Sequence, residues 1–243
     1  MIELDKIYNE DCLLGMHRIP DGSVDCIVTD PPYVLENQGG GFWGKSDEGA
    51  TYTHRLTRKG MDKLSDIKDG ITEEVLDEMC RVMKRINIYI FCSQKQIQQY
   101  LDYFVTRRGC NWNLLSWHKT NPIPACGNKY LNDTEYILFF REKGVKVYGS
   151  YDTKHTFYVS LRNQEDNVRY HHPTVKPLQI IRNFVLNSTI EGGVVLDPFI
   201  GSGTTAVACI KEGRHYIGFE TNADHFATAR KRINEEKQQL ELF

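Results

Sequence analysis

Val194-Val195-Leu196-Asp197-Pro198-Phe199-Ile200-Gly201-Ser202-Gly203-Thr204-Thr205, running on into Ala206-Val207-Ala208-Cys209-Ile210, reads as strand, glycine turn and helix in immediate succession. The short apolar run before Asp197 has the length and the bounding turn residues of a buried strand. Gly201 and Gly203 let the backbone approach a ligand where a Cβ would collide, and the turn presents unpaired N–H groups at a helix start. The next apolar run, His215-Tyr216-Ile217-Gly218-Phe219-Glu220, ends in an acid 23 positions after Asp197. That spacing suits a βαβ unit whose second acid, Glu220, binds a ribose diol. The loop lacks the full dinucleotide fingerprint and the lysine of a phosphate-binding P-loop, which leaves NAD and ATP poorly supported.

A second strand with an acid at its end lies near the N-terminus. Val24-Asp25-Cys26-Ile27-Val28-Thr29 is a short apolar run followed by Asp30-Pro31-Pro32-Tyr33. The run predicts a buried strand with Asp30 at its carboxyl end, the edge at which open α/β sheets bind ligands. Each proline lacks an N–H and has a fixed φ, which stiffens the turn and frees the Asp30 and Pro31 carbonyls to meet a ligand. A carboxylate, a rigid carbonyl and the Tyr33 ring in one turn can grip a planar amine. A Pro-Pro-Tyr surface turn is the plain alternative for this tetrapeptide taken alone.

Taken together these residues resemble a known family, the amino-methyltransferases that modify exocyclic nitrogens of DNA bases with S-adenosylmethionine. The resemblance rests on Asp30-Pro31-Pro32-Tyr33, on Asp197–Thr205, and on His172-Pro173-Thr174-Val175-Lys176-Pro177 between them. The order, catalytic tetrapeptide first and cofactor loop second, is similar to the β-class arrangement of that family. The fold it implies is α/β: a Rossmann-like seven-stranded methyltransferase sheet with helices on both faces, a circularly rearranged motif order and an inserted target-recognition region.

The resemblance also implies roles. Asp30 and Pro31 would orient an amine of a flipped base, with Pro32 completing the turn and Tyr33 stacking on the base. Glu220 would hold the cofactor ribose, the Phe199–Thr205 loop with Gly201, Ser202, Gly203 and Thr204 would surround its methionine half, and Asp30, Asp197 and Pro198 would also contact the cofactor. Asp11 and Cys12 would meet its adenine, and Lys176 would pair with its carboxylate or remain an exposed lysine at a helix start. Trp117, His118 and Lys119 resemble the segment lining the target-base pocket. Asp at the head of the tetrapeptide points to adenine N6 rather than cytosine N4, which stays as the alternative beside a non-catalytic DNA- or cofactor-binding subunit. Methylation at cytosine carbon would require a nucleophilic cysteine, normally after proline, and no Pro-Cys pair occurs.

Composition is compatible with this reading. At 243 residues the chain is expected to be one methyltransferase domain, with two small domains the alternative. No apolar run approaches the ~18 residues of a membrane span, and the N-terminus lacks signal-peptide character, so a cytoplasmic, nucleoid-associated protein of a bacterium or phage-infected cell is expected. Seven cysteines without a C-x-x-C pair predict reduced thiols and no metal site. The net charge of −2 opposes binding to a polyanion. Its distribution does not: residues 118–182 hold ten Lys or Arg against six Asp or Glu, and Arg55, Arg58, Lys59 and Lys63 cluster around Asp62. The first thirty residues hold seven acids against two bases. Arg55, Arg58 and Lys59 are therefore candidate contacts to double-stranded DNA.

Hydrophobic spacing predicts helices over 11–19, 72–85, 94–107, 177–187 and 224–237, and strands over 87–93, 112–119 and 135–141. The glycine-rich stretch 34–70 is expected to be a mobile DNA-facing loop, and 120–170, where periodicity weakens, the recognition region. At the C-terminus Gln239-Leu240-Glu241-Leu242-Phe243 resembles the short motif with which bacterial replication proteins dock on the sliding clamp. Gln239, Leu240, Leu242 and Phe243 would be its anchors. Homodimerisation is left open.

Overall fold

Four apolar strands with few polar residues form the centre of the molecule because only burial on both faces satisfies such sequences. The computed structural model describes residues 2–33, 70–122, 130–162 and 175–240. Its strands are β1 (Lys6–Tyr8), β2 (Cys26–Thr29), β3 (Asn87–Cys92), β4 (Asn111–Lys119), β5 (Thr134–Arg141), β6 (Phe157–Ser160), β7 (Val194–Asp197) and β8 (His215–Phe219). They form one eight-stranded sheet in the order β1-β8-β7-β2-β3-β5-β4-β6. The five strands from β1 to β3 run parallel. Only β5 runs against its neighbours, between β3 and β4, while β6 lies parallel to β4 at the far edge.

The seven-stranded expectation is corrected by this count. The additional strand, β6, lies within the 120–170 stretch whose alternation is too short to read: Phe157 and Val159 are exposed, and Tyr158 and Ser160 are half-buried. β1 was equally hard to foresee, since three residues on an edge carry almost no periodic signal.

Helices α1 (Cys12–Met16), α2 (Glu73–Val82), α3 (Gln94–Leu101), α4 (Leu178–Ser188), α5 (Thr204–Lys211) and α6 (Ala223–Leu240) cover the two faces. One core packs Met16, Leu76, Met79, Tyr100 and Phe104 onto Ile88, Ile90, Leu138 and Phe140. The other packs Ile181, Phe184, Ala206, Ala208 and Ile233 onto Val28, Tyr89, Ile137 and Val195. Thr72 caps α2 by accepting from the Val75 N–H at 3.4 Å, as the sequence leads one to expect. The helix expected over 94–107 changes character at Asp102, and 102–107 form a π-helical turn. That wider turn places the consecutive rings of Tyr103 and Phe104 in the core together.

α4 matters most for the site because Lys176 and Pro177 lead into it. Phe184 of α4 stacks on Tyr89 of β3 with centroids 4.3 Å apart, and Tyr89 stacks in turn on Phe139 of β5 at 4.2 Å. Each such pair is worth about 0.5–1.5 kcal/mol beyond the area buried. The Asn87 amide adds a polar tie, donating to the Asp25 and Ser188 carbonyls at 3.0 Å each. The rings thereby fix the middle of α4 on the sheet, and the Asn87 tie fixes its far end at the start of β2 and β3.

Candidate active site

The carboxyl ends of β1, β8, β7, β2 and β3 share one edge because these strands are parallel. Each end is followed by a residue singled out from sequence or by its support: Asp11 after β1, Glu220 after β8, the glycine loop after β7, Asp30 after β2 and Gln96 after β3. β5 begins at the same edge and β4 ends there.

The loop after β7 is built around its own acid. Asp197 is buried and accepts from the Thr205 hydroxyl at 2.6 Å and from the Phe199 N–H at 3.1 Å. Burial pushes its carboxyl up to about 7, against the Thr205 hydrogen bond that favours the charged form. Gly203 caps α5 at φ 82°, a left-handed conformation in which a side chain would be strained. The Ser202 and Thr204 hydroxyls are buried against α6, where Arg232 donates to Thr204 Oγ1 at 2.8 Å and to Ser202 Oγ at 3.4 Å. Their visible role is therefore to hold the loop on its helix, a long-range partnership absent from the local pattern.

Glu220 faces the same loop. Its carboxylate accepts from the Gly201 N–H at 3.1 Å and from the Asn222 N–H at 2.7 Å. Asn9, at the end of β1, donates to the Glu220 carbonyl at 2.7 Å. Asp11 caps α1 by accepting from the Leu13 N–H at 2.9 Å, and Cys12 is buried behind it, with burial pushing the thiol up to about 12. Acid, glycine turn and N-terminal cap therefore converge from three strand ends.

Asp30 sits next to this group, just past the end of β2, the strand adjoining β7. One of its oxygens, Oδ2, pairs with the Lys176 ammonium at 2.5 Å, while Oδ1 is buried without a hydrogen-bond partner among the described residues. Burial raises the Asp30 carboxyl above the usual carboxylate range, against the pull of Lys176. The turn is braced from β3 and α3: the Gln96 side chain donates to the Pro32 carbonyl at 3.3 Å and accepts from the Ser93 N–H at 3.0 Å. The Tyr33 hydroxyl lies within the influence of Asp30 and donates to Glu135 of β5 at 3.4 Å.

Lys176 is not the exposed lysine considered from sequence. It is buried, paired with Asp30 and, at 3.2 Å, with Glu135, and its ammonium lies 5.1 Å from the centre of the Phe91 ring. Burial alone would lower it, but Asp30 and Glu135 prevail and raise it to about 12. Glu135 also binds Lys119 at 2.8 Å, and these two ammonium groups hold its carboxyl below the ordinary value despite burial. Sequence reading passed over Glu135 and Gln96. Gln96 was accessible as the third residue after the cap Ser93, whereas an acid at the head of an apolar strand carries no local signal.

The DNA-facing assignments divide. Trp117 is 3% exposed and packs in the core, its ring nitrogen donating to Ser160 Oγ at 2.8 Å across the β4–β6 pair. His118 is partly exposed beside Thr134, and Lys119 is committed to Glu135. Arg55, Arg58, Lys59, His172, Pro173, Thr174, Leu242 and Phe243 lie outside the described residues, as does all of the 34–70 loop except Gly70. α6 continues through Gln239 and Leu240, which shortens the expected free tail.

Residues 24–231 match the family model described as DNA methylase. Among curated relatives, the type II methyltransferase M2.LlaDCHI of Lactococcus lactis subsp. cremoris is 30% identical over 245 residues, which cover 94% of this chain and 88% of that protein. M2.DpnII of Streptococcus pneumoniae is 29% identical, covering 96% and 90%. Among solved structures, the M1.HpyAVI–SAM complex superposes with a TM-score of 0.66 at 26% identity, over 94% of this chain and 98% of that one. The cytosine-N4-specific PvuII DNA methyltransferase shares the fold alone, with a TM-score of 0.65 at 14% identity over 96% and 91%. With its motifs in the order of that family and its acids gathered at one sheet edge, the chain belongs to the DNA methylase family and is a DNA methyltransferase.

Proposed function

We propose that the enzyme transfers a methyl group from S-adenosylmethionine to the exocyclic N6 amine of an adenine flipped out of duplex DNA. The observation that carries this reading is the placement of Asp30, with one buried oxygen unpartnered among the described residues, just past the end of the strand next to the Asp197–Thr205 turn. The residues present fit the cofactor. Glu220 offers a carboxylate that accepts from the N–H of Gly201, a residue of positive φ with no Cβ to narrow the approach.

When bound, S-adenosylmethionine supplies an electrophilic methyl group on a sulfonium sulfur. The protein's task is to present the amine. An exocyclic amine is a poor nucleophile because its lone pair is delocalised into the ring. A hydrogen bond from the amine to Asp30, and a second to the Pro31 carbonyl, favour a tetrahedral nitrogen and localise that pair. As the N–CH3 bond forms and the S–CH3 bond breaks with its electron pair left on sulfur, positive charge develops on nitrogen. The Asp30 carboxylate stabilises that charge, and the nitrogen then releases its proton to water. Tyr33 stacks on the extruded base and offsets an unstacking cost of a few kcal/mol.

Arg55, Arg58, Lys59 and His118 are the proposed DNA contacts, in the bacterial cytoplasm. The reading of Gln239–Phe243 as a sliding-clamp ligand is carried by an exposed Gln239 at the end of α6. The test of the main reading is nucleoside analysis of unmethylated bacterial DNA after incubation with enzyme and cofactor. N6-methyladenine is expected, and N4-methylcytosine alone would overturn the choice of base.

A further inference from the structure

We propose that Glu135 is a positioning residue of the methyl-transfer site, holding Lys176 and Tyr33 so that Asp30 keeps an accepting carboxylate for the target amine. The proposal rests on the methyltransferase reading above. Four charges alternate in sign through successive ion pairs, Asp30, Lys176, Glu135 and Lys119, of which Lys176 is buried and the others are partly buried, with side-chain exposures of 26%, 8%, 14% and 12%. Glu135 is the junction of that line. One oxygen takes Lys119 at 2.8 Å, and the other takes Lys176 at 3.2 Å together with the Tyr33 hydroxyl at 3.4 Å.

The consequence for Asp30 is electrostatic. An ammonium group 2.5 Å from Oδ2 keeps a buried carboxylate charged, but it also cancels the field that must stabilise a cationic nitrogen. Glu135 draws part of the Lys176 charge toward itself and leaves Oδ1 of Asp30 unpartnered among the described residues. Without Glu135, the three N–H donors of Lys176 are free to turn to both Asp30 oxygens and occupy the one the amine needs. The same carboxylate ties the Tyr33 ring, so the stacking surface and the acceptor are set by one side chain.

A buried ion-pair network that merely braces β5 against the start of α4 is the competing account, and pH separates the two. The groups facing Asp30 are Lys176, Glu135, Tyr33, Asp197, Cys92 and Tyr100. Glu135 raises the Asp30 carboxyl and Lys119 offsets Glu135, so removing each has an opposite sign. The experiment is single-turnover methyl transfer to unmethylated bacterial DNA across the acid range, with wild type, Glu135→Gln and Lys119→Gln, and thermal melts to monitor folding. Glu135→Gln is expected to lose roughly tenfold or more in plateau rate, with its acid limb displaced to lower pH. Lys119→Gln is expected to displace the limb to higher pH, with Lys119→Arg restoring it. If Glu135→Gln does not fold, the direction of the Lys119→Gln displacement decides. Acid limbs that coincide with wild type, whatever the loss in rate or melting temperature, would overturn the proposal. Absence of transfer by the wild type would instead overturn the methyltransferase reading on which it rests.

Discussion

Replacing Asp197 by Asn should flatten the dependence of stability on pH. The Asp197 side chain is 5% exposed, and burial holds its carboxyl near 7, whereas in the unfolded chain it titrates near ~3.9. The folded state therefore binds this proton more tightly than the unfolded state, so ionisation above neutral pH opposes folding. Below about pH 4 both states are protonated and the group's stabilising contribution is complete; it is lost as pH rises through 7. Between pH 5 and pH 8 the linkage relation gives a loss of about 2–3 kcal/mol from this one carboxyl. Asn keeps the geometry, because its carbonyl can accept from the Phe199 N–H and its NH2 can donate to Thr205 Oγ1, where Asp197 now accepts at 2.6 Å. Asp30, also raised, titrates in both proteins and cancels to first order when the two are subtracted. Urea unfolding at pH 5, 6, 7 and 8 measures the difference directly. Wild type should lose about 2–3 kcal/mol more than the variant across that interval, and parallel stability curves would refute the argument.

Asp30→Ala should reduce methyl transfer by roughly 10²–10⁴-fold, and in the wild type the acid limb of transfer should lie above the ordinary aspartate range, because the required carboxylate is lost as pH falls through a raised pKa; retained activity in the variant would refute the role given to Asp30. Gly203→Ala should cost about 1–3 kcal/mol in chemical denaturation, because φ is 82° and the new Cβ would lie 3.2 Å from the Ala229 Cβ and 3.3 Å from its Cα; an unchanged midpoint would mean that the loop relaxes freely. Deletion of Gln239–Phe243 should abolish pull-down by a bacterial sliding clamp while sparing methylation of short duplexes, and absence of clamp binding by the full-length chain would remove that reading of the tail.

The elements that were legible in advance share one property, a local signal strong enough to outweigh context. The β7 turn announces itself by an apolar run, two glycines and a following helix, and the observed strand Val194–Asp197 and helix Thr204–Lys211 lie where that pattern puts them. Thr72 with Val75 three residues on marks a helix start by capping chemistry, and its hydroxyl accepts from that N–H. The misreadings arose where packing decides. Trp117 was placed at the target-base pocket on the resemblance of its segment alone, and its burial under β6, where Ser160 accepts from its ring N–H, depends on a strand pairing that no local pattern marks. Three- and four-residue edge strands such as β1 and β6 are stabilised by pairing with β8 and β4, and nothing local marks them.

The electrostatics of the site were illegible for a topological reason. In a sheet of parallel strands, each strand gives the ligand edge its last residues, and that rule found Asp30, Asp197 and Glu220. β5 breaks the rule because it runs antiparallel between β3 and β4, with Cys92 opposite Tyr136 and Asn87 opposite Arg141. It therefore presents its first residues to the same edge, and the acid that begins it, Glu135, arrives beside the ends of β2 and β4. An arginine at its other end, Arg141, is carried to the opposite edge by the same reversal. Had β5 been parallel, a cation rather than an anion would have faced Lys176 and Lys119, and two ammonium groups could not have remained buried there. Strand direction, which the sequence of β5 does not encode locally, is what allows a buried lysine to keep the Asp30 carboxylate charged while a second acid moderates its grip.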